Sequence, residues 1–411
     1  LAKASEGEKL QETEIVRLLQ ARGDDFTHVC QAADQVRRSL CGDEVTYCVN
    51  RNINYTNVCY FKCQFCAFSK GKMSENLRGR PYDLSPEELM RRTREAYDRG
   101  ASEVCLQGGI HPEYTGQTYI DICHSIKQVV PDMHIHAFSP LEVWQGAQTL
   151  NLPIGDFLKQ LKEAGLDTLP GTAAEILDDE VRATLCPDKI NTSQWLEVME
   201  AAHAEGFNTT ATIMYGHIEG YHHVARHLLR VRRLQERTQG FTEFVILPFI
   251  HMEAPLYLKG HARKGPTFRE AVLIHAVSRL ALNPVFKNIQ ASWTKLGHQG
   301  VKACLQAGVN DLGGTLMNET ITRAAGASHG QETAPETMEE LIVASGRTPR
   351  QRTTTYGEVS ELQKQKSFGA TRLMEPVYTS AKRYERGKKT KVDLVRSSVD
   401  TTEAISGADI I

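Results

Sequence analysis

NRNINYTNVCYFKCQFCAFSKG, residues 50–71, decides how this chain is read. Residues 50–56 read as a strand. Cys59, Cys63 and Cys66 come directly after it, in a C-x3-C-x2-C spacing. In a barrel of parallel strands, the segment after a strand opens onto the C-terminal face, where active sites lie. Three thiols bunched at such a place read as a metal site first.

Downstream, strand-like runs recur at 102–106, 133–138, 166–169, 208–214, 243–248, 287–292 and 309–313. Helical patterns lie between them, at 86–98, 117–129, 155–164, 192–204, 221–237, 267–281 and 297–306. The clearest, 86–98, has Ser85 as N-cap, Pro86 at its first position and Glu87 and Glu88 in its first turn. About eight strand–helix alternations predict parallel strands with crossover helices. The fold class is α/β, a closed (β/α)8 TIM-type barrel over residues 45–320, with an open six-unit sheet next in line. Ahead of it, 8–22 and 23–44 carry apolar helical stripes and make residues 1–44 an N-terminal helical cap. Beyond it, 321–384 forms a C-terminal extension with a short helix at 335–345. Residues 385–411 read as a flexible tail. The basic run at 384–391 reads as solvated rather than as a nucleic-acid contact.

Lys plus Arg is 48, Asp plus Glu is 50, and 41% of the 411 residues are hydrophobic. That balance is globular and excludes disordered and collagen-like chains. The near-zero net charge argues against nucleic acid as a partner. No apolar run approaches the ~18 residues of a membrane span, and no signal-peptide pattern opens the chain. It starts at Leu1, as a processed chain or the second half of a fused one would. Seven of the 10 cysteines are scattered, unlike a disulfide framework. The expected setting is the cytoplasm or another reducing compartment, with organelle import left open.

Three readings of the cysteine cluster compete. Unligated cysteines are usually scattered and buried. Structural zinc takes four ligands, often from paired knuckles, and no second knuckle is present. Iron–sulfur clusters suit soft thiolate donors, although this spacing matches neither common ferredoxin run. Three close cysteines can hold three irons of a 4Fe-4S cube and leave the fourth iron open to another ligand.

The spacing, with Phe65 before the last cysteine and a strand before the first, resembles the signature of radical S-adenosylmethionine (SAM) enzymes. That resemblance implies a 4Fe-4S cluster on Cys59, Cys63 and Cys66, with SAM on the free iron and Phe65 beside the cofactor. One electron would cleave SAM to a 5′-deoxyadenosyl radical, which abstracts a substrate hydrogen. Gln107-Gly108-Gly109 resembles the glycine segment that meets the SAM amino group, with Ile110 where an acidic residue is usual. Glu175 is implied to hold the ribose diol, because a carboxylate accepts two hydroxyl hydrogen bonds; a helix-terminal charge is its other reading. Arg182 is the candidate partner of the SAM carboxylate, or else a helical surface residue.

HAFSPLEVW (136–144), PGTAAEILDDEVR (170–182), ASWTKLG (291–297) and DLGGTLMNE (311–319) are similar to one branch of that superfamily. The branch holds both deazaflavin (FO) synthase components, the menaquinone futalosine-pathway enzymes and, more distantly, tyrosine lyases and biotin synthase. The PGTAAEIL form looks most like the tyrosine-using FO synthase component. The resemblance implies a transferase that cleaves L-tyrosine at Cα–Cβ. It would pass the 4-hydroxybenzyl group to 5-amino-6-(D-ribitylamino)uracil. An electron donor and the other FO synthase component, separate or fused, are the implied partners; nucleic acid and membrane are not. Ser139, Thr210, Tyr215, Lys295 and Asp311, near strand ends, are candidate substrate contacts. The alternatives are a futalosine-pathway enzyme and an iron–sulfur or zinc protein without SAM cleavage.

Overall fold

The computed structural model describes residues 1–69 and 81–378. The expected tail, 385–411, and the end of the quoted motif lie outside the described residues. Among the described residues ten strands form one sheet: β1 (Glu44–Cys48), β2 (Asn50–Ile53), β3 (Glu103–Leu106), β4 (His134–Ala137), β5 (Thr168–Leu169), β6 (Asn208–Tyr215), β7 (Phe241–Pro248), β8 (Asn288–Ala291), β9 (Asp311–Gly314) and β10 (Thr348–Arg352). Their order is β10-β1-β9-β8-β7-β6-β5-β4-β3-β2. Every strand pair is parallel, as crossover helices require. The sheet curls until β2 meets the chain after β9. There Arg51 and Met317 form a parallel bridge, and Met317 donates its N–H to Asn50 O at 3.1 Å. The expected α/β barrel is therefore present, with β2 to β9 matching the eight strands expected.

The helices form where local signals put them. Ser85 caps the helix Pro86–Asp98 by accepting the N–H of Glu88 at 3.3 Å. The N-terminal helices Glu12–Leu19 and Gly23–Cys41 turn Ile15, Leu19, Val29, Ala33 and Val36 inward. They pack on Tyr221–Thr238 and Phe268–Ala281 at the barrel's outside. Six helices of the described residues add to the expected set: Pro140–Leu150, Asp179–Leu185 and the short Ala2–Ser5, Pro255–Leu258, Ile321–Ala324 and Glu361–Ser367.

β1 and β10 are likewise additions. Thr348–Arg352 (TPRQR) has no apolar alternation; it pairs along its length with β1, and a buried ion-pair group anchors its end. Arg352 donates to Asp311 at 2.6 and 2.9 Å and to Glu243 at 3.2 Å, with the Tyr356 ring 4.1 Å from its guanidinium. Tyr356 OH also donates to Glu243 at 2.5 Å. Burial pushes Glu243 up to about 7; Arg352 opposes the shift and Asp311 adds to it. The group sits near the N-terminal ends of β7 and β9, at the floor of the barrel.

This floor makes stability depend on both charge and pH. Arg352→Met would leave two carboxylates buried without their cation and should cost about 3–5 kcal/mol in urea unfolding. Because the folded-state pKa of Glu243 is raised, its protonated form favours folding. That contribution is present below the ordinary carboxylate range and fades as pH rises through about 7. Glu243→Gln should therefore flatten the fall in unfolding free energy between acidic and neutral pH.

Candidate active site

Beyond β2 the chain folds over the end of β3. Gly109 donates its N–H to Thr56 O at 2.9 Å, and Tyr60 donates to Ile110 O at 2.8 Å. These bonds press the cysteine loop onto the Gly-Gly pair. A Cβ on Gly109 would strike the Val58 carbonyl and lie 2.9 Å from Cys59 Cβ, and one on Gly108 would enter the Tyr55 ring. Only glycine permits this approach. The Ile110 N–H points at Cys59 Sγ and that of Ser69 at Cys66 Sγ, each at 3.4 Å. The loop's far side is tied by Gln64 N–H to Leu185 O at 2.9 Å.

All three cysteines and Phe65 line one cavity of about 400 Å³. Burial pushes the Cys59 thiol up to about 11 and Cys63 well above the usual thiol value, with Lys189 opposing the latter. Lys189 lies behind them. Its Nζ donates to Glu175 Oε1 at 2.8 Å and stands 5.1 Å from the centre of the Phe65 ring. Burial works against its charge, but Cys63 and Glu175 outweigh it and hold the ammonium protonated. Three thiols on one wall, N–H groups aimed at sulfur, and a side-chain-free ledge fit a cluster held by three thiolates.

Gln107, Gly108, Gly109, Glu175, Ser139, Thr210 and Lys295 also line this cavity. Glu175 is held at φ 45, in the left-handed region that non-glycine residues seldom occupy. Ser139 is largely committed elsewhere. It caps Pro140–Leu150, and its hydroxyl donates to Glu142 Oε2 at 2.6 Å. Thr210 Oγ1 accepts the Gly171 N–H at 2.8 Å.

Three expected contacts are not brought to the cavity. Arg182 is 3% exposed and donates to the carbonyls of Ala174 at 2.6 Å and Ile190 at 3.2 Å. It braces the loop that carries Glu175 rather than reaching a ligand. Tyr215 comes after Thr210, Thr212 and Met214, which alternate onto the cavity face, so its own position on β6 faces away. Asp311 is fully buried and held by Arg352 at the floor. Sequence reasoning missed Lys189, Asn52, Glu142 and Glu319. For Glu142 the S-x-x-E capping pattern from Ser139 was an available signal.

Cys63→Ser should lose the brown iron–sulfur absorbance and SAM cleavage together. Gly109→Val should do the same with every thiol intact, while Cys304→Ala, in a helix away from the cavity, should keep both. Anaerobic reconstitution with iron and sulfide assays checks this, and SAM cleavage surviving in Cys63→Ser would refute the assignment.

Residues 53–231 match the family described as Radical SAM superfamily, and residues 238–365 match the CofH/MqnC C-terminal region. An FO synthase of Streptomyces coelicolor is 49% identical over 87% of this chain and 41% of its own length. The chain thus spans about two fifths of that relative. The 5-amino-6-(D-ribitylamino)uracil–L-tyrosine 4-hydroxyphenyl transferase of Methanothermobacter thermautotrophicus is 45% identical over 86% of this chain and 96% of its own length. Among solved structures, methylornithine synthase matches in fold with a TM-score of 0.65, at 19% identity, over 85% of this chain and 96% of that one. With the cysteine trio at its strand end and a match along nearly the whole of the archaeal transferase, this chain belongs to the radical SAM family of 5-amino-6-(D-ribitylamino)uracil–L-tyrosine 4-hydroxyphenyl transferases.

Proposed function

We propose that this chain cleaves L-tyrosine at its Cα–Cβ bond and transfers the 4-hydroxybenzyl group to C5 of 5-amino-6-(D-ribitylamino)uracil, releasing 2-iminoacetate. The observation that carries this reading is a single cavity shared by the cysteine trio and by polar side chains from strands around the barrel. Once bound and given one electron, the cluster and SAM supply a 5′-deoxyadenosyl radical. The protein's task is to hold, orient and shield. Cys59, Cys63 and Cys66 would bind the cluster, and the Gly108–Gly109 backbone the SAM amino group. Glu175, oriented by its hydrogen bond from Lys189, would accept from the ribose hydroxyls. The barrel wall around the cavity would shield a reactive carbon radical from side reactions.

The 45% identity along 96% of the archaeal transferase supports this substrate pair. An electron donor and the other FO synthase component, fused or separate, complete the scheme. A reducing compartment suits the 10 free cysteines. Among the described residues no helix is long and apolar enough to cross a membrane.

Anaerobic turnover with SAM, reductant, tyrosine and the ribityl uracil, with products read by mass spectrometry, tests the proposal. The expected products are the benzylated uracil and 5′-deoxyadenosine. In deuterated buffer, deuterium from the tyrosine amine should appear in the 5′-deoxyadenosine. Omitting the uracil should remove the adduct and leave SAM cleavage. Conversion of a futalosine-type nucleoside, with no adduct from tyrosine, would instead assign the sister pathway.

A further inference from the structure

The cavity is also lined by Asn52 of β2, by Lys295, and by Glu319 and Thr322 from the chain after β9. The backbone brings them together, since Asn52 donates its N–H to Met317 O at 3.1 Å, two residues before Glu319. Thr322 stands between the two charged groups. Its N–H donates to Glu319 Oε1 at 2.8 Å, and its hydroxyl accepts from Lys295 Nζ at 2.7 Å. Asn52 is 8% exposed and Glu319 4%. Yet Asn52 Oδ1 and Glu319 Oε2 have no hydrogen-bond partner among the described residues. A buried carboxylate oxygen without a donor is costly, and such an atom calls for an explanation. Here both unpartnered acceptors border a cavity, with a cation beside them.

We propose that Asn52, Glu319 and Lys295 form a socket for the α-amino and α-carboxylate groups of the amino-acid substrate. The ammonium donates to Glu319 Oε2 and Asn52 Oδ1, and the carboxylate accepts from Lys295. The inference rests on the reading of tyrosine as substrate. Charge selects this occupant. Lys295 and Glu319 are held apart by Thr322, and a zwitterion laid across them meets each charge with its opposite. A polyol such as the ribityl chain would satisfy the two acceptors but leave Lys295 without an anion. The uncharged uracil ring has the same shortcoming. Burial lowers the Lys295 pKa while Glu319 raises it, so an anion arriving at Lys295 further favours its charged form.

Cluster-loaded protein with SAM and no reductant does not turn over, so equilibrium binding can be read by calorimetry. Three phenols separate the two ends of the zwitterion: tyrosine, tyramine, which lacks the carboxylate, and 3-(4-hydroxyphenyl)propionate, which lacks the amine. Wild-type protein should prefer tyrosine to either by about tenfold or more. Lys295→Met should bind tyrosine and tyramine alike. Glu319→Gln puts an NH2 group where the ammonium sits, and should bind tyrosine and the propionate alike. Both variants should keep their affinity for the ribityl uracil. If Glu319→Gln loses its cluster absorbance, Glu319→Asp should shift the ammonium preference alone. A variant that weakens all three phenols equally, or weakens the uracil instead, overturns the socket and leaves the transferase reading standing. Wild-type protein that binds none of the phenols overturns both.

Discussion

The pressing of residues 56–60 onto residues 109–110 governs the cysteine end of the molecule. Two backbone hydrogen bonds make the contact, and two absent side chains allow it. The consequences run inward from there. Tyr55, packed where a Gly108 side chain would be, hydrogen-bonds Glu142. Glu142 also accepts the Ser139 N–H at 2.7 Å and caps the turn into Pro140–Leu150. Burial raises the Glu142 pKa while these hydrogen bonds oppose the rise. Backbone ledge, aromatic ring, buried carboxylate and helix cap form one connected support beneath the cysteine loop.

At the other end of the barrel the design is different. The floor is polar, and it is held by charge rather than by close backbone approach. Glu103 accepts from Asn50 Nδ2 at 2.7 Å and from Thr354 Oγ1 at 2.6 Å, beside the Arg352–Asp311–Glu243 group. His136 donates or accepts at Thr168 Oγ1 at 2.7 Å, and burial lowers its pKa to about 4, so it stays neutral near neutral pH. A buried network of this kind is favourable only when its members are satisfied, which is why the acceptors left open higher in the cavity stand out.

Local pattern is what the sequence makes legible. β6 (NTTATIMY) and β7 (FTEFVILP) are β-branched and aromatic runs buried on both faces, and the expected strands fall within a few residues of them. The cysteine trio is legible because its spacing is itself the signal. β10 is not, because TPRQR carries no apolar alternation and is anchored by pairing with β1 and by Asp311 and Glu243, contributed by distant strands. Arg182, Tyr215 and Asp311 depart from expectation for a related reason. Position near a strand end says nothing about which way a side chain faces. Period-two alternation along β6 would have corrected Tyr215, since Thr210, Thr212 and Met214 share the other face. Lys189, 14 residues past Glu175 in sequence, meets it only because the chain doubles back around the helix Asp179–Leu185.

The place of β1 bears on how the molecule is made. The first of the ten strands to be synthesised lies between the last two, with Glu44 opposite Thr348 and Thr46 opposite Asp311. A nascent chain can build the β2-to-β8 run in order, each strand docking on its predecessor. β1 must wait with both edges unpaired until nearly the whole described chain has emerged. Such long sequence separation slows folding, and open strand edges invite pairing with other chains.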